Sequence, residues 1–275
     1  MSVEERLVGH ARRWGVSIDE TRKTETSLLG FGTRNGRSVV LKVIRKVAGE
    51  EWRCGEILSA FAGHGMIQPL AHTDGAVLLP RLQPGHDLSS LSLDGRDDEA
   101  TEVIAASIQQ MSGAMPAAGV RSIEQLLPDF ARFRDGGAGL ISMGIIERAE
   151  ALFADLCATQ RNARLLHGDL HHYNILFDND CGWVAIDPWG ASGEVEYEVG
   201  AALRNPIDAP QLLQNSAVIE RRLRIYEERV KFDADRALRW AFATTVLGVL
   251  WPVEEGLDMR APFAKACFAM LPLLE

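Results

Sequence analysis

Leu165-Leu166-His167-Gly168-Asp169-Leu170-His171-His172-Tyr173-Asn174-Ile175-Leu176-Phe177, followed after a short gap by Gly182-Trp183-Val184-Ala185-Ile186-Asp187-Pro188, is the stretch that decides the fold. Two apolar, strand-like runs flank a polar loop holding an aspartate and, five positions on, an asparagine; a second aspartate ends the next apolar run. A hairpin of this kind presents three oxygen-bearing side chains on one edge. A carboxylate can take the proton of a hydroxyl, and an amide oxygen with a second carboxylate suits a hard cation such as Mg²⁺. Transfer of a phosphoryl group from ATP needs that combination. Asp169 is therefore read as the base, and Asn174 and Asp187 as the metal ligands. The bare pattern H-x-D-x-x-x-x-N arises by chance in unrelated chains, but set between apolar runs and followed by Ile-Asp-Pro it specifies a kinase catalytic loop.

Working towards the N-terminus, Ser38-Val-Val-Leu-Lys-Val-Ile44 reads as a β-branched strand with Lys42 inside it, where a buried charge needs a partner. In a kinase that partner is phosphate oxygen, with a glutamate from the next helix orienting the ammonium. Glu50 to Ala62 carries apolar residues in a helical rhythm and offers Glu50, Glu51 and Glu56. Glu51 shares a face with Cys54 and Leu58 and is taken as the partner. Leu29-Gly-Phe-Gly-Thr-Arg-Asn-Gly36 has the punctuation of a hairpin, and its glycines equally suit a loop over phosphates. Val77-Leu-Leu-Pro-Arg-Leu82 stands where a hinge offers backbone groups to adenine. Pro80 lacks an N–H, so the donor falls to a neighbour such as Leu82. Met66–Leu70 and Ala76–Leu82 read as further strands. The first part of the chain is thus a small, mostly antiparallel sheet with one helix.

Beyond Gly85 the pattern turns helical, over Asp98–Met115, Ile123–Phe133, Ile145–Gln160, Ala217–Phe232, Asp235–Trp251 and Pro262–Leu274. Short strands at Leu165, Ile175 and Trp183 interrupt it, and Asp135-Gly-Gly-Ala-Gly139 reads as a loop before a helix. The expectation is an α+β, bilobal fold: a nucleotide-binding lobe over residues 1–84 and a larger, mainly helical lobe over 85–275 for catalysis and substrate binding.

The 275 residues, 47% hydrophobic and 24% charged, suit a soluble globular protein. A net charge of −9 argues against nucleic acid as a partner, because phosphate contacts need Lys and Arg. The four cysteines are widely spaced, which suggests neither a zinc site nor a disulfide framework and fits a reducing compartment. The N-terminus lacks the apolar core of a signal peptide. The longest apolar stretch, Trp240 to Pro252, falls short of the roughly 20 residues a bilayer requires and reads as a buried core helix. No membrane partner and a cytoplasmic location are expected.

Several polar residues admit two readings. His167, His171 and His172 cluster, but no further ligand is spaced to close a zinc site; His167 is read as bracing the loop, and His171 or His172 as facing substrate or packing. Glu194, Glu196 and Glu198 suit recognition of a cation or a solvated helix start, and the solvated start is preferred for Glu194 and Glu196. Trp189 is a substrate wall or core. Glu254, Glu255 and Asp258 form a second candidate acidic rim.

The chain resembles the aminoglycoside phosphotransferase family, in the branch of streptomycin 6-phosphotransferases and hydroxyurea kinases. The likeness rests on Val40–Val43, Gly75–Gly85, Leu166–Leu176, Ala185–Pro188 and Tyr197–Pro206. It implies a protein-kinase-like fold and ATP- and Mg²⁺-dependent O-phosphorylation of a small hydroxyl-bearing acceptor, such as streptomycin or hydroxyurea. Asp169 would be the base, Asn174 and Asp187 the metal ligands, and Lys42 the phosphate anchor. The sequence departs from the pattern at Pro80, where such enzymes often carry Glu, and at Cys54, where a helix glutamate is expected. A kinase of another small metabolite on the same scaffold, and a non-catalytic kinase-like nucleotide-binding protein, remain as alternatives.

Overall fold

The structure, a computed structural model, describes residues 1–116, 119–136, 141–254 and 262–274. In the N-terminal lobe the elements are α1 (Val3–Trp14), β1 (Ser17–Lys23), β2 (Ser27–Arg34), β3 (Arg37–Ile44), a 3₁₀ turn (Glu50–Arg53), α2 (Cys54–Ala60), β4 (Ala71–Thr73) and β5 (Ala76–Pro80). Then follow β6 (Pro84–Asp87), α3 (Ser89–Leu93), α4 (Asp97–Met111), β7 (Arg121–Ser122), α5 (Leu127–Gly136), α6 (Met143–Ala158) and β8 (Arg164–Leu166). A 3₁₀ turn at His172–Asn174 leads into β9 (Ile175–Asp178), β10 (Gly182–Ala185) and β11 (Ala191–Gly193). Another 3₁₀ turn (Val195–Glu198) opens the closing helices α7 (Val199–Leu203), α8 (Pro210–Leu213), α9 (Ser216–Val230), α10 (Ala234–Glu254) and α11 (Pro262–Leu274).

β1 to β5 build one antiparallel sheet in the order β1-β2-β3-β5-β4. Asn35 and Gly36 turn β2 into β3 with φ of 51° and 76°, the left-handed pair that matches the twist of a two-residue hairpin. One face of the sheet lies under α1, which starts with a Ser2–Glu5 capping box and stops at Gly15. Leu7 and Ala11 of α1 pack there on Leu28, Val39, Leu41, Val43 and Leu78. Gly30 and Gly32 belong to this face. A Cβ on Gly32 would lie 1.8 Å from the Ser17 carbonyl oxygen, and one on Gly30 would crowd Ile18 and Leu7. Close approach of β1 and α1 therefore accounts for these glycines without invoking phosphate. The opposite face carries Leu29 beside Lys42 in direct register.

Three local expectations change. Met66–Leu70 is not a strand: Met66 makes an isolated bridge to Ala185, and the edge strand β4 begins only at Ala71. The Glu50–Ala62 helix is split into a 3₁₀ turn and the short α2, since Gly49 provides no side-chain cap at its start. The lobe also gains α1 besides the expected helix. Further along, Asp135 and Gly136 close α5 rather than opening a loop; the remainder of that stretch lies outside the described residues.

In the helical part, the apolar stretch from Trp240 is the buried middle of α10, with Trp240, Phe242, Val246, Leu247 and Leu250 almost without solvent contact. Among the described residues no helix is long and apolar enough to cross a membrane. A buried ion pair joins α4 to α9. Arg222 donates to both oxygens of Asp97, at 2.6 and 3.0 Å, and also to the Asn205 carbonyl at 2.8 Å. Ser92 completes the carboxylate at 2.9 Å. Burial alone would raise the Asp97 pKa; the Arg222 guanidinium outweighs it and holds the carboxyl below its ordinary value.

Removing one partner of such a pair leaves an uncompensated buried charge. Asp97→Ala should lower stability by about 3–5 kcal/mol, read as a drop in the midpoint of thermal or urea unfolding. Asp97→Leu combined with Arg222→Met should recover part of the loss, and a double variant as unstable as the sum of the singles would contradict this account.

Candidate active site

The site forms where the turn after β8, the β9–β10 hairpin and β3 converge. His167 closes it from beneath, with no exposed surface. Its Nδ1 accepts the Asp169 N–H at 3.3 Å and its Nε2 lies 2.8 Å from the Ile186 carbonyl oxygen. Both contacts are met by one neutral tautomer, with the proton on Nε2. Burial pushes the imidazole pKa down to about 4, so this neutral form persists. The expected bracing role of His167 thus has a definite shape: it ties the backbone of Asp169 to the residue preceding Asp187.

Asn174 hydrogen-bonds back to the loop, its Nδ2 donating to the Asp169 carbonyl at 2.9 Å. That contact points the amide nitrogen inward and leaves Oδ1 without a hydrogen-bond partner among the described residues, chemically able to hold a hard cation. Asp169 and Asp187 have half-exposed side chains, each 49% accessible. His171 Nε2 stands 3.4 Å from Asp169 Oδ2. His171 Nδ1 accepts the Tyr173 N–H, and the same Nε2 also lies 3.3 Å from the Asn174 Nδ2, so the ring spans the base and the amide of the loop. The protein wall around Asp169 would raise its pKa, but His171, with Arg204 and His167, pulls it below the ordinary value. His172, adjacent in sequence, is fully buried and takes no part in the open face of the loop.

Lys42 reaches across from β3. Its ammonium contacts the Asp187 carboxylate and lies 3.1 Å from Glu51 Oε2. Burial would lower the Lys42 pKa, but Asp187 and Glu51 raise it above the ordinary value and keep the group charged. Cys54 sits behind the pair as a neutral thiol, pushed up to about 11 by burial. Leu82, half-buried, packs against the main core just past Arg81, whose N–H donates to the Ser38 carbonyl at 3.1 Å. The sequence-derived residues Lys42, Glu51, Asp169, Asn174 and Asp187 are therefore gathered in one place, with Leu82 at the exit of the sheet.

The acidic run after Asp187 behaves differently from the expectation of a solvated helix start. Glu194 is wholly buried, bound by Arg236 and the Trp240 indole, and accepts the Arg161 N–H at 3.1 Å. Long-range packing of α10 took it inside. Glu198 is also buried; its carboxylate accepts the backbone N–H of His167 and, at 3.0 Å, that of Gly168. Burial pushes Glu198 up to about 7. Glu198 is a site residue that sequence reasoning missed, for nothing in the spacing separates it from Glu194 and Glu196. Glu255 and Asp258, from the second acidic cluster, lie outside the described residues, as does the side chain of Glu254.

A family model for aminoglycoside/hydroxyurea antibiotic resistance kinases matches residues 13–256. The chain belongs to that family. It is 28% identical over 250 residues to a streptomycin 3''-kinase of Klebsiella pneumoniae, covering 89% of this chain and 91% of the relative. Identity is again 28%, over 262 residues, with a streptomycin 6-kinase of Streptomyces griseus, covering 91% and 83%. A thermostable mutant of the aminoglycoside phosphotransferase APH(4)-Ia, solved with ADP and hygromycin B, superposes with a TM-score of 0.67 at 15% identity, over 98% of this chain and 97% of that one. The fold is accordingly protein-kinase-like, and the protein is a phosphotransferase of this kinase family.

In this kinase the buried imidazoles set a pH limit. An unfolded histidine takes up its proton near pH 6.5, whereas folded His167 does so only near 4, so acidification through that window favours the unfolded chain. His172, held well below the ordinary value chiefly by burial, acts in the same direction. The thermal midpoint should fall as pH drops from about 6.5 to about 4, and less steeply in His167→Gln. An unchanged slope in that variant would show that His167 is not among the groups responsible.

Proposed function

We propose that this protein transfers the γ-phosphoryl group of ATP, with Mg²⁺, to a hydroxyl of a small acceptor, a cationic aminocyclitol such as streptomycin being favoured and the uncharged hydroxyurea the smaller candidate of the same family. The observation carrying this reading is the meeting of Lys42, Asp169, Asn174 and Asp187 on one edge, inside a family of antibiotic resistance kinases. The nucleotide would lie between the lobes, which we place at residues 1–84 and 85–275, with Leu82 beside adenine.

The ligand atoms fit the metal. Asn174 Oδ1 and the Asp187 carboxylate are hard oxygens, and Mg²⁺ binds through one or two such groups while keeping water and substrate phosphates. When bound it would neutralise charge on the phosphates. Lys42 would hold a phosphate oxygen, with Glu51 orienting its ammonium. Asp169 would accept the hydrogen bond of the acceptor hydroxyl and take its proton as the oxygen–phosphorus bond forms and the bond to ADP breaks. A carboxylate held at low pKa is a weak base towards a free alcohol. It suits a loose transition state, in which the proton moves late and orientation is the main contribution.

The charge of the acceptor is supported by a carboxylate other than those expected. Tyr173, one residue before Asn174, donates its hydroxyl to exposed Asp208 at 2.9 Å. That places a carboxylate beside the catalytic loop, able to pair with a guanidinium or ammonium group. The buried Glu194 and Glu198 are engaged within the protein.

Measured by ATP consumption over streptomycin, other aminoglycosides, hydroxyurea and small polyols, turnover should appear with an aminoglycoside or hydroxyurea and weaken as salt rises for a cationic acceptor. Saturable ATP binding without turnover of any of these would redirect the assignment to another metabolite. Asp169→Ala should reduce turnover by about 10²–10⁴ with nucleotide affinity retained. In Asp187→Asn the Mg²⁺ concentration for half-maximal rate should rise steeply, and an unaltered Mg²⁺ dependence would remove Asp187 from the metal.

A further inference from the structure

Glu51 is held in an unusual setting for a residue that must orient a lysine. Its 3₁₀ turn spans Glu50–Arg53, has no side-chain cap, and runs into a helix of only 7 residues. Helices this short are not stable by themselves, so the turn's position has to be imposed by tertiary contacts. Those contacts converge on the next residue, Trp52. The Trp52 ring rests on Gly75, where an added Cβ would come within 2.3 Å of it. Its carbonyl accepts the Gly75 N–H at 2.7 Å, while the Gly75 carbonyl accepts the Ile44 N–H at 2.9 Å. From the other side the Arg6 guanidinium of α1 lies 5.4 Å from the Trp52 ring centroid.

Arg6 itself is only 7% exposed. Its Nη2 donates to the Ile44 carbonyl at 2.6 Å and to that of Arg45 at 3.1 Å, where β3 leaves the sheet. Its Nε and Nη1 have no hydrogen-bond partner among the described residues. A buried, partly unsatisfied guanidinium is costly, and an aliphatic side chain would fill the same space without that cost. What an aliphatic residue would lack is the hold on two carbonyls and the cation over the indole. Arg6 thus fastens the strand end two residues beyond Lys42 to the turn one residue beyond Glu51. Both members of the 3.1 Å Lys42–Glu51 pair issue from this knot. Thr26 adds a hydroxyl to the same Glu51 oxygen at 3.2 Å.

We propose that Arg6 and Trp52 are positioning residues for phosphoryl transfer: through them α1 fixes Glu51, and with it the Lys42 ammonium, at the phosphate-binding place. The proposal rests on the reading that Lys42 holds nucleotide phosphate. It gives the N-terminal helix, far along the chain from the catalytic loop, a part in nucleotide affinity without touching the nucleotide.

The test compares binding of the ATP analogue AMP-PNP with Mg²⁺, and of adenosine, by calorimetry in the full chain. Lys42→Met is the reference. Arg6→Met and Trp52→Leu, each confirmed as folded by circular dichroism, should weaken AMP-PNP about tenfold, the scale of coupling between groups in contact. Adenosine, which lacks phosphate, should bind as to wild type. Arg6→Lys and Trp52→Phe should recover most of the affinity. In a Lys42→Met background, Arg6→Met should add no further loss. Should Trp52→Leu fail to fold, Arg6→Met against Arg6→Lys carries the comparison. Wild-type AMP-PNP affinity in folded Arg6→Met, equal loss for adenosine, or an undiminished loss in the Lys42→Met background would each overturn the proposal. Wild-type AMP-PNP affinity in Lys42→Met itself would instead overturn the reading of Lys42 on which it rests.

Discussion

One imidazole joins the two halves of the catalytic hairpin: His167 accepts the Asp169 N–H and donates to the Ile186 carbonyl. The rest of the site depends on that ring staying neutral, because an imidazolium would lose the acceptor that Asp169 needs. Glu198 supports the arrangement by gripping the backbone N–H groups of His167 and Gly168 from below. The Gly190 N–H in turn donates to the His167 carbonyl at 2.9 Å. Asp187 lies between these tethers at a φ of 58°, a left-handed conformation that costs a non-glycine residue about 1–3 kcal/mol and persists only where its surroundings over-determine it. The bonds to Ile186 and Gly190 supply that determination. A carboxylate is thereby turned out of the strand direction towards Lys42.

Much of this was legible in the sequence, and for a chemical reason. Proton acceptance, hard-metal ligation and phosphate anchoring each demand a particular functional group, so Asp169, Asn174, Asp187 and Lys42 stand out as candidates by type and spacing, and the fold brings them together. The antiparallel sheet followed from β-branched runs and the Asn35-Gly36 turn, and the buried α10 from its apolar length. Where the reading failed, local pattern was overruled by contacts distant in sequence. Met66 to Leu70 has strand composition, yet Met66 makes an isolated bridge to Ala185, and the ladder with β5 begins at Ala71. Gly30 and Gly32 fitted a phosphate loop as well as a hairpin; only the presence of Ser17, Ile18 and Leu7 against them shows what the missing side chains make room for.

Charged residues show the same division more sharply. Glu194, Glu196 and Glu198 stand at alternate positions and are indistinguishable by type. Yet Glu194 is fixed inside by Arg236 and Trp240 from a helix some forty residues away, and Glu198 binds backbone amides of the loop thirty residues before it. A carboxylate is a generic acceptor, and its role is set by which donors the fold delivers to it. Arg6 is the counterpart among cations, a charged residue near the N-terminus whose carbonyl partners lie at the end of β3.

That asymmetry explains why the nucleotide half of the site reads more clearly than the acceptor half. ATP presents the same phosphates to every kinase, so the groups that meet them are constrained in kind. The acceptor, on the proposed function, would be met by whatever side chains the helical part brings to the open side of the loop. In this chain a described example is the Tyr173–Asp208 pair, in which burial, followed by the neighbouring Asp208, pushes the phenol up to about 12 and keeps it a neutral donor. Held by that hydroxyl, Asp208 can turn its remaining lone pairs to solvent, where a cationic acceptor would meet a fixed carboxylate rather than a mobile one. Fixing the carboxylate before binding reduces the ordering cost of recognition. On the proposed function, specificity would turn on how loop and helix residues such as Asp208 are anchored, while the phosphate chemistry would stay with the hairpin and β3.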